Sequence, residues 1–245
     1  MSQQGEHSQG GRGLLARARS RLGKWLRGAH KIGRPELSRP TLRLGGRAGG
    51  WTVDPTLLGG ESVVYSVGIG QDVSFDVALS ERFGCVVHAF DPTPRSLRWV
   101  AGQTLPGSLR VHPVGLSDRD GQIEMFEPPS ERHVSHTVVA GAGGAGSVRV
   151  PVQRLGTMMR TLGHDRVDLL KMDIEGAEYA VIRDLAAQGP AVGQLLVEFH
   201  HRFPSVGDAA TRNALHQLSG AGYRLFHISD SWEEYAFVHE SALRP

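Results

Sequence analysis

The sequence is poor in features that would place it in several common protein classes. Its single cysteine, Cys85, excludes an internal disulfide and a cysteine-based zinc cage. No apolar run approaches the roughly 20 residues that a membrane-spanning helix needs, so we expect no transmembrane segment. Residues 1–13 are polar, without periodicity and without the hydrophobic core of a secretion signal, which predicts a disordered tail on a cytoplasmic protein.

Charge is small in total but unevenly distributed. The formal net charge of the chain is +2, yet residues 1–50 hold 11 Lys/Arg against 2 acids, a net of +9. Within this region, residues 14–28 predict a basic amphipathic helix with an apolar face of Leu14, Ala18, Leu22, Trp25 and Leu26. We favour docking of this helix on the folded domain, as a lid or dimer element. Weak contact with an anionic membrane surface and binding of a polyanion are the alternatives.

The rest of the chain alternates apolar runs with helical patterns. Residues 29–60 are rich in Gly, Pro and Arg and predict an irregular lead-in to a domain spanning residues 61–245. The predicted strands are 63–67, 86–90, 110–114, 167–172, 194–199 and an antiparallel closing pair, 223–228 and 235–238, with an inserted hairpin at 123–126 and 148–152. This order predicts an α/β fold with a doubly wound, mostly parallel sheet.

The most informative stretch is the predicted strand–turn–helix–strand unit of residues 63–91. Gly68 and Gly70 form a turn after the first strand, and Asp91 ends the second strand 23 positions after Gly68. An acid at this position suits the ribose hydroxyls of a nucleoside-type ligand. The third glycine of a dinucleotide fingerprint is replaced by Val73, and a Walker A lysine is missing. The pattern therefore favours a ligand without a pyrophosphate over NAD or ATP.

Two further groups of polar residues follow later strands. Asp173 and Glu175 come directly after the strand at 167–172, where ligands bind in open α/β sheets, and Glu178 begins the next helix. Acids in a first helical turn also complement the helix dipole, and for Glu178 we prefer this structural interpretation. Glu198 and His200 close the strand at 194–199 and share a face.

Three interpretations of this second group remain open. One side chain could act as a general base, for which a histidine is well suited. Asp173, Glu198 and His200 could instead hold a divalent cation such as Mn²⁺ or Mg²⁺, although no spacing motif supports this. The third interpretation is that Glu198 and His200 simply hydrogen-bond neighbouring loops.

The ordered motifs of the chain resemble those of a known family. VDLLKMDIEGAEYAVIRDL, together with VGIGQD, HAFDPTP, GLSDRDG, VPVQRL and LLVEFH in this order, is similar to the FkbM-type S-adenosylmethionine-dependent methyltransferases over roughly residues 60–240. The resemblance implies a Rossmann-like class I methyltransferase fold with seven strands. It also implies methyl transfer from S-adenosylmethionine to a hydroxyl of a small molecule, sugar or other glycan acceptor.

The resemblance also assigns roles to individual residues. Asp91 would hold the ribose, and Asp173 would lie near the methionine end or the acceptor. Proton removal would fall to His200 or Asp173. The cofactor loop would comprise Ser66, Gly68, Gly70 and Asp72, and the adenine would be bordered by Ser117 and Asp118, a pair that also fits an ordinary turn.

The family usually has an acid at position 66 and a glycine at position 72. Ser66 and Asp72 here resemble a methyltransferase-like subgroup also found in animals, although the Ala, Gly and Arg usage suggests a bacterial source. Because of these two departures, a catalytically inactive S-adenosylmethionine-binding module is the main alternative. A nucleic-acid methyltransferase, suggested by the basic first 50 residues, ranks below it, and we expect no specific nucleic-acid partner. The sequence indicates no oligomeric state.

Overall fold

A twisted seven-stranded sheet organises the chain. The computed structural model describes residues 31–47, 49–126, 146–189, 192–203 and 205–243. The large sheet has the order β11-β12-β10-β9-β3-β4-β5, in which only β12 runs antiparallel to its neighbours. The strands, in chain order, are β1 Leu42–Leu44, β2 Trp51–Val53, β3 Val64–Val67, β4 Val87–Phe90, β5 Leu109–His112, β6 Gly115–Leu116, β7 Gly121–Phe126, β8 Ser147–Gln153, β9 Val167–Met172, β10 Val192–Glu198, β11 Tyr223–Ile228 and β12 Glu234–His239.

Within the described residues, five α-helices cover this sheet. They are α1 Ser74–Phe83, α2 Pro94–Ala101, α3 Leu155–Leu162, α4 Glu178–Gln188 and α5 Gly207–Gly220. Short 3₁₀ turns occupy Pro55–Leu57 and Glu240–Leu243. The predicted mostly parallel sheet with an antiparallel closing pair is confirmed, and its strand order is that of a class I methyltransferase fold.

Alternation along the central strands creates two cores, one on each face of the sheet. Tyr65 and Val67 of β3 join the core beneath α3, α4 and α5, whereas Val64 joins the core beneath α1 and the β1–β2 hairpin. All four residues of β3 and of β4 are buried. Burial on both faces explains why these strands read as nearly continuous apolar runs in the sequence.

A smaller sheet follows β5 and extends one end of the large sheet. It has the order β6-β8-β7, with β7 and β8 antiparallel as the sequence predicts. The two-residue strand β6 pairs with β8 in parallel and was not predicted, because two residues show no periodicity. Its chain position between β5 and β7 brings Gly115 and Leu116 back towards the end of β4, since Gly115 packs against Pro92.

Residues 31–60 contain more structure than the expected irregular lead-in. The antiparallel pair β1–β2 packs on the large sheet through Trp51 and Val53. Asp54 accepts one hydrogen bond from Arg39 and donates its backbone N–H to the side-chain oxygen of Gln194 on β10. The sequence does not predict this hairpin, because each of its strands has only three residues and the surrounding segment is rich in Gly and Arg. The domain boundary at residue 61 stays a prediction.

The predicted tail and amphipathic helix of residues 1–13 and 14–28 lie outside the described residues. None of the helices in the described part of the chain combines the length and apolar character needed to cross a bilayer. The expected cytoplasmic location stays a prediction.

Four aromatic polar side chains form a cluster on one side of the sheet, which we name the histidine cluster: Tyr65, His88, His112 and His164. The Tyr65 hydroxyl lies 2.8 Å from His164 Nδ1, and His88 Nδ1 lies 3.0 Å from His112 Nε2. Burial, together with these neighbouring histidines, lowers the pKa of His88 to about 4. Burial also lowers the pKa of His112 and His164.

The histidine cluster predicts acid sensitivity. Because the folded-state pKa of His88 is depressed, the unfolded chain binds more protons as the pH falls from about 6.5 to about 4, and stability is lost there. We expect His88→Gln to reduce this loss, whereas the same change at exposed His216 leaves it unchanged. Urea denaturation at pH 7 and at pH 4.5 measures the difference. An equal loss in wild type and His88→Gln would contradict the prediction.

Among the described glycines, Gly68 lies closest to another segment of backbone. It has φ +77°, and a Cβ there would lie 1.7 Å from the backbone oxygen of Asp173. Gly84, which ends α1, has a similar φ of +74° but open space around a Cβ.

These two glycines form a matched pair for a stability test. Gly84→Ala should cost about 1–2 kcal/mol, because only the left-handed backbone is disfavoured. Gly68→Ala should cost about 1–3 kcal/mol more, since the backbone of β9 must also move. Urea denaturation of both variants tests this, and equal losses would show that the approach of Gly68 to Asp173 is looser than described.

Candidate active site

The carboxyl ends of three parallel strands meet in one row. Val67, the last residue of β3, pairs with Phe90 of β4 and with Met172 of β9. The next residues along the chain, Gly68, Asp91 and Asp173, are therefore neighbours. The backbone N–H of Gly68 donates to Phe90 and that of Asp173 donates to Val67.

Asp91 is fixed at the tip of β4. Its Oδ2 accepts a 3.0 Å hydrogen bond from the backbone N–H of Gly70, and its Oδ1 accepts from the backbone and hydroxyl of Thr93. Thr93 in turn caps α2, with Pro94 at the first helical position. Asp91 is 4% exposed and is held at the rim of the row by these bonds. Both lone-pair sites of Oδ1 are occupied, and Oδ2 keeps one for a further donor.

A cavity of about 320 Å³ opens over this row. Five of the predicted site residues line it: Gly68, Gly70, Asp72, Asp91 and Asp173. Its opposite wall is apolar and comes largely from the small sheet. That wall contains Leu116, Ile123, Met125 and Val152. None of these four residues is predicted from the sequence as a site residue.

Ser66, Ser117 and Asp118 are not among the residues that line this cavity. Ser66 is buried within β3, on the opposite side from Tyr65 and Val67. Ser117 is also buried, and its hydroxyl donates to Asp118 at 3.2 Å, next to β6 rather than in the cavity. Their assignment to cofactor binding stays a prediction.

The glycine loop carries two residues with left-handed backbone. Gly70 has φ +56°, and a Cβ there would meet nothing within 4 Å, so open space lies above it. Asp72 follows, and its Oδ1 accepts from the backbone N–H of Ser74 at the start of α1. A Cβ on Gly49 would lie 2.5 Å from Asp72 Oδ2, which means that the region before residue 61 contributes to the same wall.

His200 lies behind Asp173 in what we name the carboxylate cluster, comprising Asp173, Glu175, Glu178, Glu198 and His200. His200 Nδ1 is 2.8 Å from Glu178 Oε1, and its Nε2 is 3.2 Å from Glu175 Oε2. Asp173 Oδ1 and Glu198 Oε1 lie 3.8 and 3.9 Å from the same Nε2. The ring itself is fully buried, so His200 reaches the cavity only through Asp173 and Glu175.

The carboxylate cluster perturbs the titration of its members. Burial by itself lowers the pKa of His200, but Glu178 and Glu175 outweigh it and hold that pKa well above its ordinary value. Burial raises the pKa of Asp173, although Lys171 and His200 oppose the rise. Burial together with Asp173 raises the pKa of Glu198 to about 8. Strongly shifted carboxyls beside a cavity are typical of functional sites.

Glu178 and Lys171 organise the backbone around the site. Glu178, fully buried, accepts hydrogen bonds from the backbone N–H groups of Ile174 and Gly176, so it holds the loop as well as His200. Lys171 Nζ donates to the carbonyl oxygens of Val67 and Gly68 and lies 5.3 Å from the centre of the Trp51 ring. The helix-dipole interpretation of Glu178 missed its bond to His200, because that contact links residues 22 positions apart.

The family model and the curated relatives that match this chain are all described as methyltransferases or methyltransferase-like proteins. A family model described as a methyltransferase FkbM domain matches residues 61–225. The probable methyltransferase-like protein 24 of Rattus norvegicus and that of Homo sapiens are 29% and 28% identical to this chain over 175 residues. These alignments cover 67% of this chain and 42% of each relative, so the chain corresponds to less than half of their length.

Solved structures are more distant. The methyltransferase FkbM from Methylobacillus flagellatus KT is 16% identical with a TM-score of 0.43, and the match covers 73% of this chain and 44% of that one. Aeropyrum pernix fibrillarin, in complex with natively bound S-adenosyl-L-methionine, is 10% identical with a TM-score of 0.41 and covers 76% and 68% of the two chains. Since the family model spans most of the folded region, the chain belongs to the FkbM methyltransferase domain family.

Proposed function

We propose that the protein transfers a methyl group from S-adenosylmethionine to a hydroxyl oxygen of a small molecule or sugar. The observation that carries this proposal is the buried Asp91 carboxylate, which faces the Gly68–Gly70 turn at the edge of the 320 Å³ cavity. Such an arrangement suits a nucleoside whose ribose hydroxyls donate to the acid.

The residues present fit an adenosyl group. Asp91 Oδ2 has a free lone pair for a ribose hydroxyl, and the space above Gly70 allows close approach of a ligand to the backbone. The apolar wall formed by Leu116, Ile123 and Met125 offers a surface for a flat, uncharged base. When bound, the sulfonium supplies a methyl group that is already activated for transfer.

The acceptor side of the cavity is acidic. Asp173 and Glu175 line it, and their negative charge attracts a cationic donor and orients a hydroxyl group. Of the two bases predicted from the sequence, Asp173 is the one that lines the cavity, and its raised pKa makes it a better proton acceptor. His200 contacts Asp173 and Glu175 from behind and positions them.

The second candidate function is a binding module without turnover. Asp72 favours it, because a carboxylate occupies the cavity wall where the family pattern has a glycine. The two functions share the donor site and differ in what happens after donor binding. A nucleic-acid acceptor is a third outcome, which an assay with RNA and DNA included among the acceptors would reveal.

Donor binding is the first test. Asp91→Asn should weaken S-adenosylmethionine binding at least tenfold in titration calorimetry, because an amide is a poorer acceptor and also disturbs the bond from Gly70. Asp165→Asn, at an exposed loop position, serves as the matched control and should bind as wild type does. Absence of donor binding in the wild type would end the proposal.

Turnover separates the two candidate functions. With donor labelled in the methyl group, the wild type should label at least one member of a panel of sugars, polyols and phenols, and Asp173→Asn should lower kcat about 10²-fold or more. Because Asp91 and its bond from Gly70 are unchanged in this variant, donor affinity should fall less than it does in Asp91→Asn. Donor binding without any labelled product would favour the binding module.

A further inference from the structure

The contact of His200 with Glu178 shows which ring nitrogen carries a proton. Nδ1 lies 2.8 Å from Glu178, whose two oxygens already accept from backbone N–H groups. An ionised carboxylate only accepts hydrogen bonds, so Nδ1 carries a proton and donates it to Glu178. In a neutral ring, the lone pair of Nε2 then points away from Glu178.

That lone pair faces oxygen atoms. Nε2 is fully buried and makes no hydrogen bond with any described residue, although three carboxylates surround it. Glu175 Oε2 lies 3.2 Å from Nε2, and the oxygens of Asp173 and Glu198 lie near 4 Å from it. The negative charge around this buried nitrogen has to be balanced, either by a proton on Nε2, which the raised pKa of His200 allows, or by a cation bound between Nε2 and the carboxylates.

Neighbouring basic side chains do not supply this cation. Lys171 Nζ is committed to the carbonyl oxygens of Val67 and Gly68. Arg202 hydrogen-bonds Glu233, and its nearest approach to the carboxylate cluster is 3.6 Å from Glu198 Oε1. Neither Lys171 nor Arg202 therefore occupies the space between Nε2 and the carboxylates of Asp173 and Glu175.

The geometry suits a small divalent ion. One ligand atom each from Asp173, Glu175 and His200 lies within 4.8 Å of the other two. Adjacent ligands of an octahedral ion with bonds of about 2.1 Å lie about 3 Å apart, so small side-chain rotations would close the site. Glu198 lies at its edge. The bond from Glu178 to Nδ1 is the outer contact that orients metal-bound histidines.

The backbone of Glu175 adopts a left-handed conformation next to His200. Glu175 has φ +51°, one of two non-glycine residues with positive φ among the described residues. Strain of this kind costs of order 1–3 kcal/mol and persists where it places a functional group. Here it turns the Glu175 carboxylate towards His200 instead of leaving it in solvent.

We infer that Asp173, Glu175 and His200 form a binding site for a divalent cation such as Mn²⁺. Two carboxylate oxygens and an imidazole nitrogen are a mixed set that Mn²⁺ accepts readily. Asp173 and Glu175 also line the cavity, so the open positions of the ion face it. On the proposed function, which this role depends on, the ion would bind the acceptor oxygen and make its proton easier to remove.

Manganese binding by the full chain tests the site directly. The free Mn²⁺ signal in electron paramagnetic resonance should fall to an endpoint of one ion per chain. Glu175→Gln and His200→Gln should each weaken binding at least tenfold, and Glu178→Gln should weaken it about 10–100-fold through the ring orientation. Glu240→Gln, a surface glutamate paired with Arg224, is the matched control and should leave binding unchanged.

Two results would overturn the inference. One is the absence of Mn²⁺ binding to folded wild type, which would mean that a proton on Nε2 occupies the place of the ion. The other is binding that survives Glu175→Gln, a variant that preserves the side-chain shape if His200→Gln fails to fold. Asp91→Asn should lose donor affinity and keep Mn²⁺. Failure of the donor to bind therefore rejects the proposed function alone, and failure of Mn²⁺ to bind rejects the cation site alone.

Discussion

The parallel register of β3 between β4 and β9 is the constraint on which the rest of the site depends. Because Val67 pairs with both Phe90 and Met172, all three strands end in the same row. Three chain segments that are distant in sequence then turn outwards side by side. A shift of any strand by one residue would reverse its side chains and remove its carboxylate from the cavity. The close approach of Gly68 to the backbone of Asp173 leaves no room for a Cβ where two of these segments meet.

The row divides the cavity into two chemically different halves. At one end Asp91 and the glycine turn present hydrogen-bonding groups below an apolar wall. At the other end the carboxylate cluster concentrates negative charge around a buried histidine. The first half suits recognition of a neutral nucleoside, and the second suits a cation or a hydroxyl group that must lose a proton. The boundary between them, at Asp173, is where a transferred group would pass.

The fold was predictable because it depends on local patterns. The buried runs of β3, β4, β9 and β10 are apolar, and each is followed by a helical period, which specifies a doubly wound sheet. Gly68 and Asp91 were predictable for the same reason, since both directly follow such runs. The contact of His200 with Glu178 and Glu175 was not predictable from the sequence, because it depends on how the loop after β9 packs against the end of β10.

The hairpin β1–β2 and the strand β6 were missed for a different reason. Their strands of two or three residues are too short for an alternation of apolar and polar residues to be recognised in the sequence. Tertiary packing determines them: Trp51 packs in the core beneath α1, and Gly115 packs against Pro92. Short elements of this kind nevertheless supply Gly49 and Leu116 to the cavity.

The serine at position 66 is explained by the charges around it. Ser66 pairs in register with Lys171, and both lie beside Asp76 of α1, whose pKa is raised by burial and lowered by Lys171 and Ser66. An acid at position 66 would bury a second carboxylate beside Asp76, while Lys171 is already committed to two carbonyl oxygens. Asp76 of α1 therefore already places a buried acid beside position 66, which accounts for a neutral side chain at that position.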